Sequence, residues 1–183
     1  MMLCKENVQL LVVDFQEKLI GKILKHNQIL KVSYSIVEIF SQLNLPVIYS
    51  EQYPKGLGST VEPLKTKLRE IKADKIEKTS FSCLGSLNGR ELKSKFNKKQ
   101  IVICGIEAHI CILQTSLDLI NRGFDVFLVK ESVGSRNFDD MNDGLKRMEI
   151  SGVTLINFEM LLFELIRDSK SPDFKPLSSF IKK

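Results

Sequence analysis

The stretch Ile101–Ile120, IVICGIEAHICILQTSLDLI, decides how this chain is read. Ile101–Cys104 suits a strand buried on both faces, and Gly105 turns the chain. After a short bend a helical pattern begins at Cys111 and continues through Ile112, Leu113, Leu117 and Ile120. A thiol at such a strand–loop–helix junction sits at the mouth of a sheet and looks down on backbone N–H groups. Those groups and the helix dipole favour a thiolate. Cys111 is therefore a candidate nucleophile, and the rest of the chain must supply what a nucleophile needs.

Outward from this stretch the same grammar recurs. Val8–Val13 leans β, is broken only by Gln9 and ends at Asp14; without alternation it predicts another strand covered on both faces. An amphipathic segment carrying Ile29, Leu30, Val32, Ile36, Val37, Ile39, Phe40 and Leu43 predicts a helix, stopped by Asn44 and Pro46. Pro46–Ser50 is a short strand, Glu51–Thr60 a loop punctuated by Pro54, Gly56 and Gly58, and Val61–Glu70 weakly helical. Asp74–Lys78 predicts a strand and Leu87–Phe96 a helix. Beyond Cys111, strands at Phe124–Val129 and Val153–Ile156 alternate with helices at Phe138–Ser151 and Phe158–Arg167.

This alternation predicts an α/β fold, a three-layer α-β-α sandwich around a mostly parallel six-stranded sheet, with residues 1–183 as a single domain. Residues 168–183 read as a C-terminal arm. Phe174, Leu177, Phe180 and Ile181 would anchor it, either on its own domain or on a second copy.

Composition narrows the classes. With 43% hydrophobic and 27% charged residues, the chain suits a soluble globular protein with a sizeable core. No apolar run approaches the roughly 20 residues that cross a bilayer, and Met1–Gln9 lacks a signal-peptide pattern. The reading expects no membrane partner and a cytoplasmic, reducing location. Cys4, Cys83, Cys104 and Cys111 are too few and scattered for a disulfide scaffold. With no CxxC and only His26 and His109 to help, they carry no zinc signature, and no cofactor is expected. A net charge of +5 leaves room for an acidic partner. Yet the lysines are spread, with short clusters at Lys93–Lys99 and Lys182–Lys183 and few aromatics between them. The reading is a solvated surface and no nucleic-acid partner.

Three residues with chemistry stand at predicted strand ends: Asp14, Lys78 and, past the bend, Cys111. Open parallel sheets bind ligands beyond those ends. A cysteine attacks carbonyl carbon as the thiolate, so something must take its proton and steady the anion. His109 is too close along the bend for an ordinary dyad and His26 reads as solvated, so a papain-like pairing is not expected. Asp14, partly desolvated at the end of a buried strand, suits the base's task. Lys78 would hold the carboxylate and offset charge on the attacked oxygen. The competing interpretation is a capping Asp, a surface Lys and a structural Cys.

The motifs LLVVDFQEKL around Asp14, EKTSFS around Lys78 and GIEAHIC ending at Cys111 resemble the isochorismatase-like cysteine hydrolases, in that chain order. The resemblance covers nearly the whole chain and implies a Rossmann-like isochorismatase fold. It makes Asp14 the general base, Lys78 its cationic partner and Cys111 the nucleophile. It also implies a cis peptide at Ile106–Glu107, which would turn the Glu107 N–H toward the pocket beside that of Cys111 as an oxyanion hole. The nicotinamidase branch binds a metal through an Asp and several His after the second strand. Here Glu51, Gln52 and Tyr53 stand there, so no metal is expected. The loop SEQYPKGLGST and the stretch KTSFSC look closer to the small isochorismatase-domain proteins.

Phe15, Gln16, Tyr53, Phe81 and Ile106 are candidate substrate-binding residues, the aromatics to wall a small carbonyl or amide compound and Gln16 to offer a polar contact. Each also has a core reading. Cys83 reads as a bystander and Cys104 as buried and inert. The resemblance implies a homo-oligomer, a dimer or larger. The leading expectation is a metal-independent hydrolase cleaving a small amide or related C–N bond through a thioester. The alternative is a triad-bearing scaffold that acts as a protein-interaction module.

Overall fold

The computed structural model describes residues 1–181, so Lys182–Lys183, part of the predicted arm and of one basic cluster, lie outside the described residues. Six strands form one sheet: β1 (Val8–Val13), β2 (Val47–Gln52), β3 (Asp74–Lys78), β4 (Gln100–Ile106), β5 (Asp125–Gly134) and β6 (Thr154–Ile156). Their order is β3-β2-β1-β4-β5-β6, and each pairing within the sheet is parallel. The helical segments, in chain order, are α1 (Glu17–Ile20), α2 (His26–Gln42), α3 (Pro54–Leu57), α4 (Leu64–Glu70) and α5 (Gly89–Lys95). They continue with α6 (Leu113–Asn121), α7 (Phe138–Ile150), α8 (Phe158–Ile166) and α9 (Phe174–Ser178).

Period-2 side-chain alternation explains why an unbroken apolar run makes a central strand. Leu10 and Val12 of β1 join one core with Ile36 and Phe40 of α2 and Leu161 of α8. Leu11 and Val13 join a second core with Ile112, Leu119 of α6 and Met148 of α7. The sheet is thus covered on both faces. The chain runs outward from β1 through β2 to β3, then returns so that β4 lies on the other side of β1. The order reverses between β1 and β4, which is where a doubly wound sheet opens a crevice.

Three strands run past their expected ends. β2 continues through Glu51 and Gln52, because Glu51 pairs with Glu77 and Gln52 with Lys78 in the β3 register. β4 continues through Gly105 to Ile106, with a register shift against β5 between Ile103 and Gly105. Gly105 is no turn residue. Its φ is +140°, and a Cβ there would stand 2.2 Å from the Val13 carbonyl oxygen, so glycine lets β4 and β1 close up at the reversal. β5 runs on to Gly134, past the exposed Lys130 and Glu131. In the tail, Leu177 is buried and Phe174, Phe180 and Ile181 pack on the core that α2 and α8 build.

Candidate active site

Each member of the predicted trio stands at the carboxyl end of a strand or just beyond. Asp14 follows β1 with a left-handed φ of 53°, a conformation Asp tolerates better than most side chains. Lys78 is the last residue of β3. Cys111 lies within a π-helical turn, Ala108–Ile112, that runs directly into α6, so the bend before it shrinks to Glu107 alone. The Ile106–Glu107 peptide is cis.

The side chains converge. Lys78 Nζ donates to Asp14 Oδ2 at 2.7 Å, and both side chains are fully withdrawn from solvent. The ammonium's other protons go to Gln52 Oε1 at 2.7 Å and the Phe81 carbonyl at 3.0 Å. Three acceptors match its three N–H groups, so its direction is fixed. The Ser50 hydroxyl donates to the other carboxylate oxygen, Oδ1, at 2.7 Å. The Cys111 thiol lies against the Asp14 carboxylate and is 8% exposed.

Electrostatics run against the expectation that the backbone N–H groups and helix dipole favour a thiolate. Burial, then the adjacent Asp14 charge, hold the Cys111 thiol well above the ordinary range, and the Lys78 ammonium only partly opposes them. Lys78 shows the reverse balance. Burial would lower its proton affinity, but the adjacent Asp14 carboxylate more than offsets this, and the ammonium is stabilised. The resting site therefore holds one anion, one cation and a protonated thiol aimed at the anion. The helix dipole does not outweigh desolvation and a neighbouring carboxylate.

The predicted contact residues separate into groups. Phe15 is buried in the core, on the packing side of its two readings, and Ile106 is likewise fully buried. Gln16 is a brace: its Nε2 donates to the Gln52 and Gly58 carbonyls, and its Oε1 accepts from the Gln52 N–H. Its amide is spent on fastening the loop after β2, which removes it from the polar-contact role. Tyr53 and Phe81 are 54% and 52% exposed beside Lys78. Tyr53, with Lys78 and Thr79, lines a cleft of about 330 Å³.

The contacts of several other residues have no signature in the sequence. Cys83, expected as a bystander, lies among the site's side chains: its thiol sits against Ser50 and Thr115, and burial, then the Asp14 charge, push it up to about 11. The Glu107 carboxylate accepts from Arg136 Nε at 2.9 Å. His109 Nδ1 lies 2.9 Å from the Ser135 hydroxyl, so it joins the nucleophile turn to the end of β5. Glu51 Oε1 accepts from the Thr60 N–H and hydroxyl, and Oε2 pairs with Lys75 at 2.7 Å. Among the described residues no group of three or more His, Cys, Asp or Glu is arranged to hold a metal ion, and no helix is long and apolar enough to cross a membrane.

The comparisons with known proteins match this architecture. The family model described as Isochorismatase domain covers residues 8–160. Isochorismatase family protein 1A of Dictyostelium discoideum is 38% identical over 174 residues, 92% of this chain and 84% of that one. Among solved structures, MAR1 ribonuclease from Caenorhabditis elegans superposes with a TM-score of 0.90 at 33% identity, covering 100% of this chain and 93% of that one. YcaC from Pseudomonas aeruginosa, solved with hexane-2,5-diol and covalent acrylamide, gives a TM-score of 0.89 at 25% identity, with 98% and 90% covered. By its matched domain and its relatives, this chain belongs to the isochorismatase family.

Proposed function

We propose that the chain is a cysteine hydrolase that cleaves a small amide or related C–N bond through a thioester, without a metal. The observation that carries this is the buried trio itself, a carboxylate ion-paired with a neighbouring ammonium and set against the thiol. In the proposed sequence Asp14 takes the Cys111 proton as sulfur bonds to the substrate carbonyl carbon. The developing oxyanion lies near the Cys111 N–H at the start of a helical run, and Lys78 supports the local field. The C–N bond then breaks, with Asp14 returning the proton to the leaving amine. Water attacks the thioester with Asp14 again as base, the S–C bond breaks, and the thiol is re-formed.

Because the thiol rests protonated, charge separates only when an electrophile is in place. That favours selectivity over indiscriminate reactivity. The donor set where a metal would sit is already committed: Glu51 to Thr60 and Lys75, Gln52 to Lys78 and the Thr79 carbonyl. The likeness to YcaC, which was solved with covalent acrylamide, agrees with an electrophile-accepting site. Exposed Tyr53 and Phe81 are proposed as the walls that meet the substrate, and the trio is read as catalytic in a cytoplasmic homo-oligomer.

The test is site-resolved mass spectrometry after incubation with iodoacetamide and with a panel of small amides. Cys111 should carry the adducts, and Lys78→Met should slow the labelling by roughly a hundredfold or more. Labelling of the half-buried Cys4 ahead of Cys111, untouched by the substitution, would sink the reading. RNA cleavage is a second reading, favoured by the likeness to the protein named MAR1 ribonuclease. RNA degradation that survives Cys111→Ser would separate it from the thiol chemistry.

A further inference from the structure

The ammonium of Lys78 depends on a loop that another element holds. Its third acceptor, the Phe81 carbonyl, belongs to the segment between β3 and α5, a stretch with no sheet partner of its own. That segment is fastened to α6, the helix continuous with the nucleophile turn. The Ser82 hydroxyl donates to Asp118 Oδ2 at 2.6 Å, and the Cys83 N–H donates to Thr115 Oγ1 at 3.0 Å. Ser82 Oγ also accepts from the Leu84 N–H at 3.2 Å, which tightens the segment around the same hydroxyl. Thr115 is fully buried and four residues beyond Cys111, so it lies about one turn along the same helical run. One helix thus carries the thiol and also fixes the loop that aims the cation.

We infer that Thr115 and Asp118 are positioning residues for the proposed reaction, latching the Lys78 loop to the nucleophile helix so that ammonium, carboxylate and thiol keep one register. Neither touches the reacting atoms. Their effect passes through the Phe81 carbonyl to Lys78 Nζ and from there to Asp14 and Cys111. If the latch opens, Lys78 loses an aligned acceptor, the field on the thiol weakens, and sulfur ionises later. The inference rests on the trio being the reactive centre, yet its readout needs no knowledge of the substrate.

The experiment follows the rate of iodoacetamide addition at Cys111 against pH, by peptide mass spectrometry, in the full chain. Asp118→Ala and Thr115→Val should each slow addition roughly tenfold and move the rise of the pH profile upward. Thr115→Ser keeps the hydroxyl and should restore the rate, and Asp118→Asn, which keeps an acceptor for Ser82, should fall close to it. In a Lys78→Met background, Asp118→Ala should bring no further loss, because the route through the ammonium is already gone.

An unchanged rate in both Asp118→Ala and Thr115→Val at unchanged melting temperature overturns the latch. So does an equal slowing with and without Lys78, which marks a merely structural contact. Misfolding of Thr115→Val leaves Asp118→Ala, at a half-buried residue, and Ser82→Ala to decide. If no amide is ever turned over while this coupling is present, the hydrolase reading fails and the latch stands. If amides are turned over and the coupling is absent, the reverse holds.

Discussion

Gly105→Ala tests the geometry on which the site depends. The new methyl would be built 2.2 Å from the Val13 carbonyl oxygen and 2.8 Å from Val13 Cα, both backbone atoms that no rotamer change can move. Relief to ordinary contact takes a shift on the order of 1 Å between β1 and β4. Overpacking of this kind costs about 1–3 kcal/mol, and holding alanine at a φ of +140° adds about 1–2 kcal/mol. A total near ~3 kcal/mol is expected in urea unfolding followed by circular dichroism. Gly123→Ala is the control: it also has a positive φ, +81°, but meets only Lys99 Nζ at 3.8 Å, so it should cost about 1 kcal/mol. Val13 immediately precedes Asp14, so the shift also pulls carboxylate from thiol, and Cys111 alkylation should fall roughly a hundredfold in the Gly105 variant alone. Equal destabilisation by the two substitutions, with wild-type alkylation in both, would refute the claim that close strand approach sets the site.

Two further outcomes follow from buried ionisable groups. Glu51 is desolvated, yet its bonds to Lys75 and Thr60 hold its carboxyl below the ordinary range, so its contribution is present above the unfolded pKa and lost as pH falls through the folded one. Glu51→Gln should therefore cost about 1–3 kcal/mol at pH 7 and progressively less below about pH 4, measured by denaturant unfolding across pH. Cys83 and Cys104 are pushed up to about 11 and about 12 by burial. Their protonated forms favour the fold below the ordinary thiol value of about 8.5, and this is lost as pH climbs toward the folded values. Stability should fall between about pH 9 and 11, and Cys83→Ala with Cys104→Ala should flatten that slope; a slope unchanged in the double variant would contradict the assignment.

The sequence was most legible where an apolar run ends in a lone charge. Val8–Val13 before Asp14 matches β1 residue for residue, because a strand buried on both faces leaves a plain signature; Asp74–Lys78 also matches β3, though that edge strand is exposed at Asp74, Lys75 and Glu77. Gly105 misled, since glycine usually breaks a strand, and the need for it lies in Val13, 92 positions away in the chain. β5 ran past its expected end because exposed Lys130 and Glu131 look like a boundary while their neighbours Val129 and Val133 stay buried. Ser50, Gln52, Thr115 and Asp118 could not be picked out: a single polar side chain meeting a distant partner has no periodicity to betray it. The thiolate expectation failed for a related reason, because a dipole can be read from local order whereas desolvation is known only once the neighbours are in place.

The arrangement β3-β2-β1-β4 also has a temporal consequence. On a ribosome the first three strands emerge and can pair among themselves, leaving one flank of β1 bare until residues 100–106 arrive. During that interval the carboxylate and the ammonium already exist, but the sulfur they serve has yet to be synthesised. Arrival of the fourth strand covers that flank and brings the reactive atom close behind it, so a nascent chain that carries the nucleophile in working order has already moved its open edge from β1 to β4, where β5 will close it.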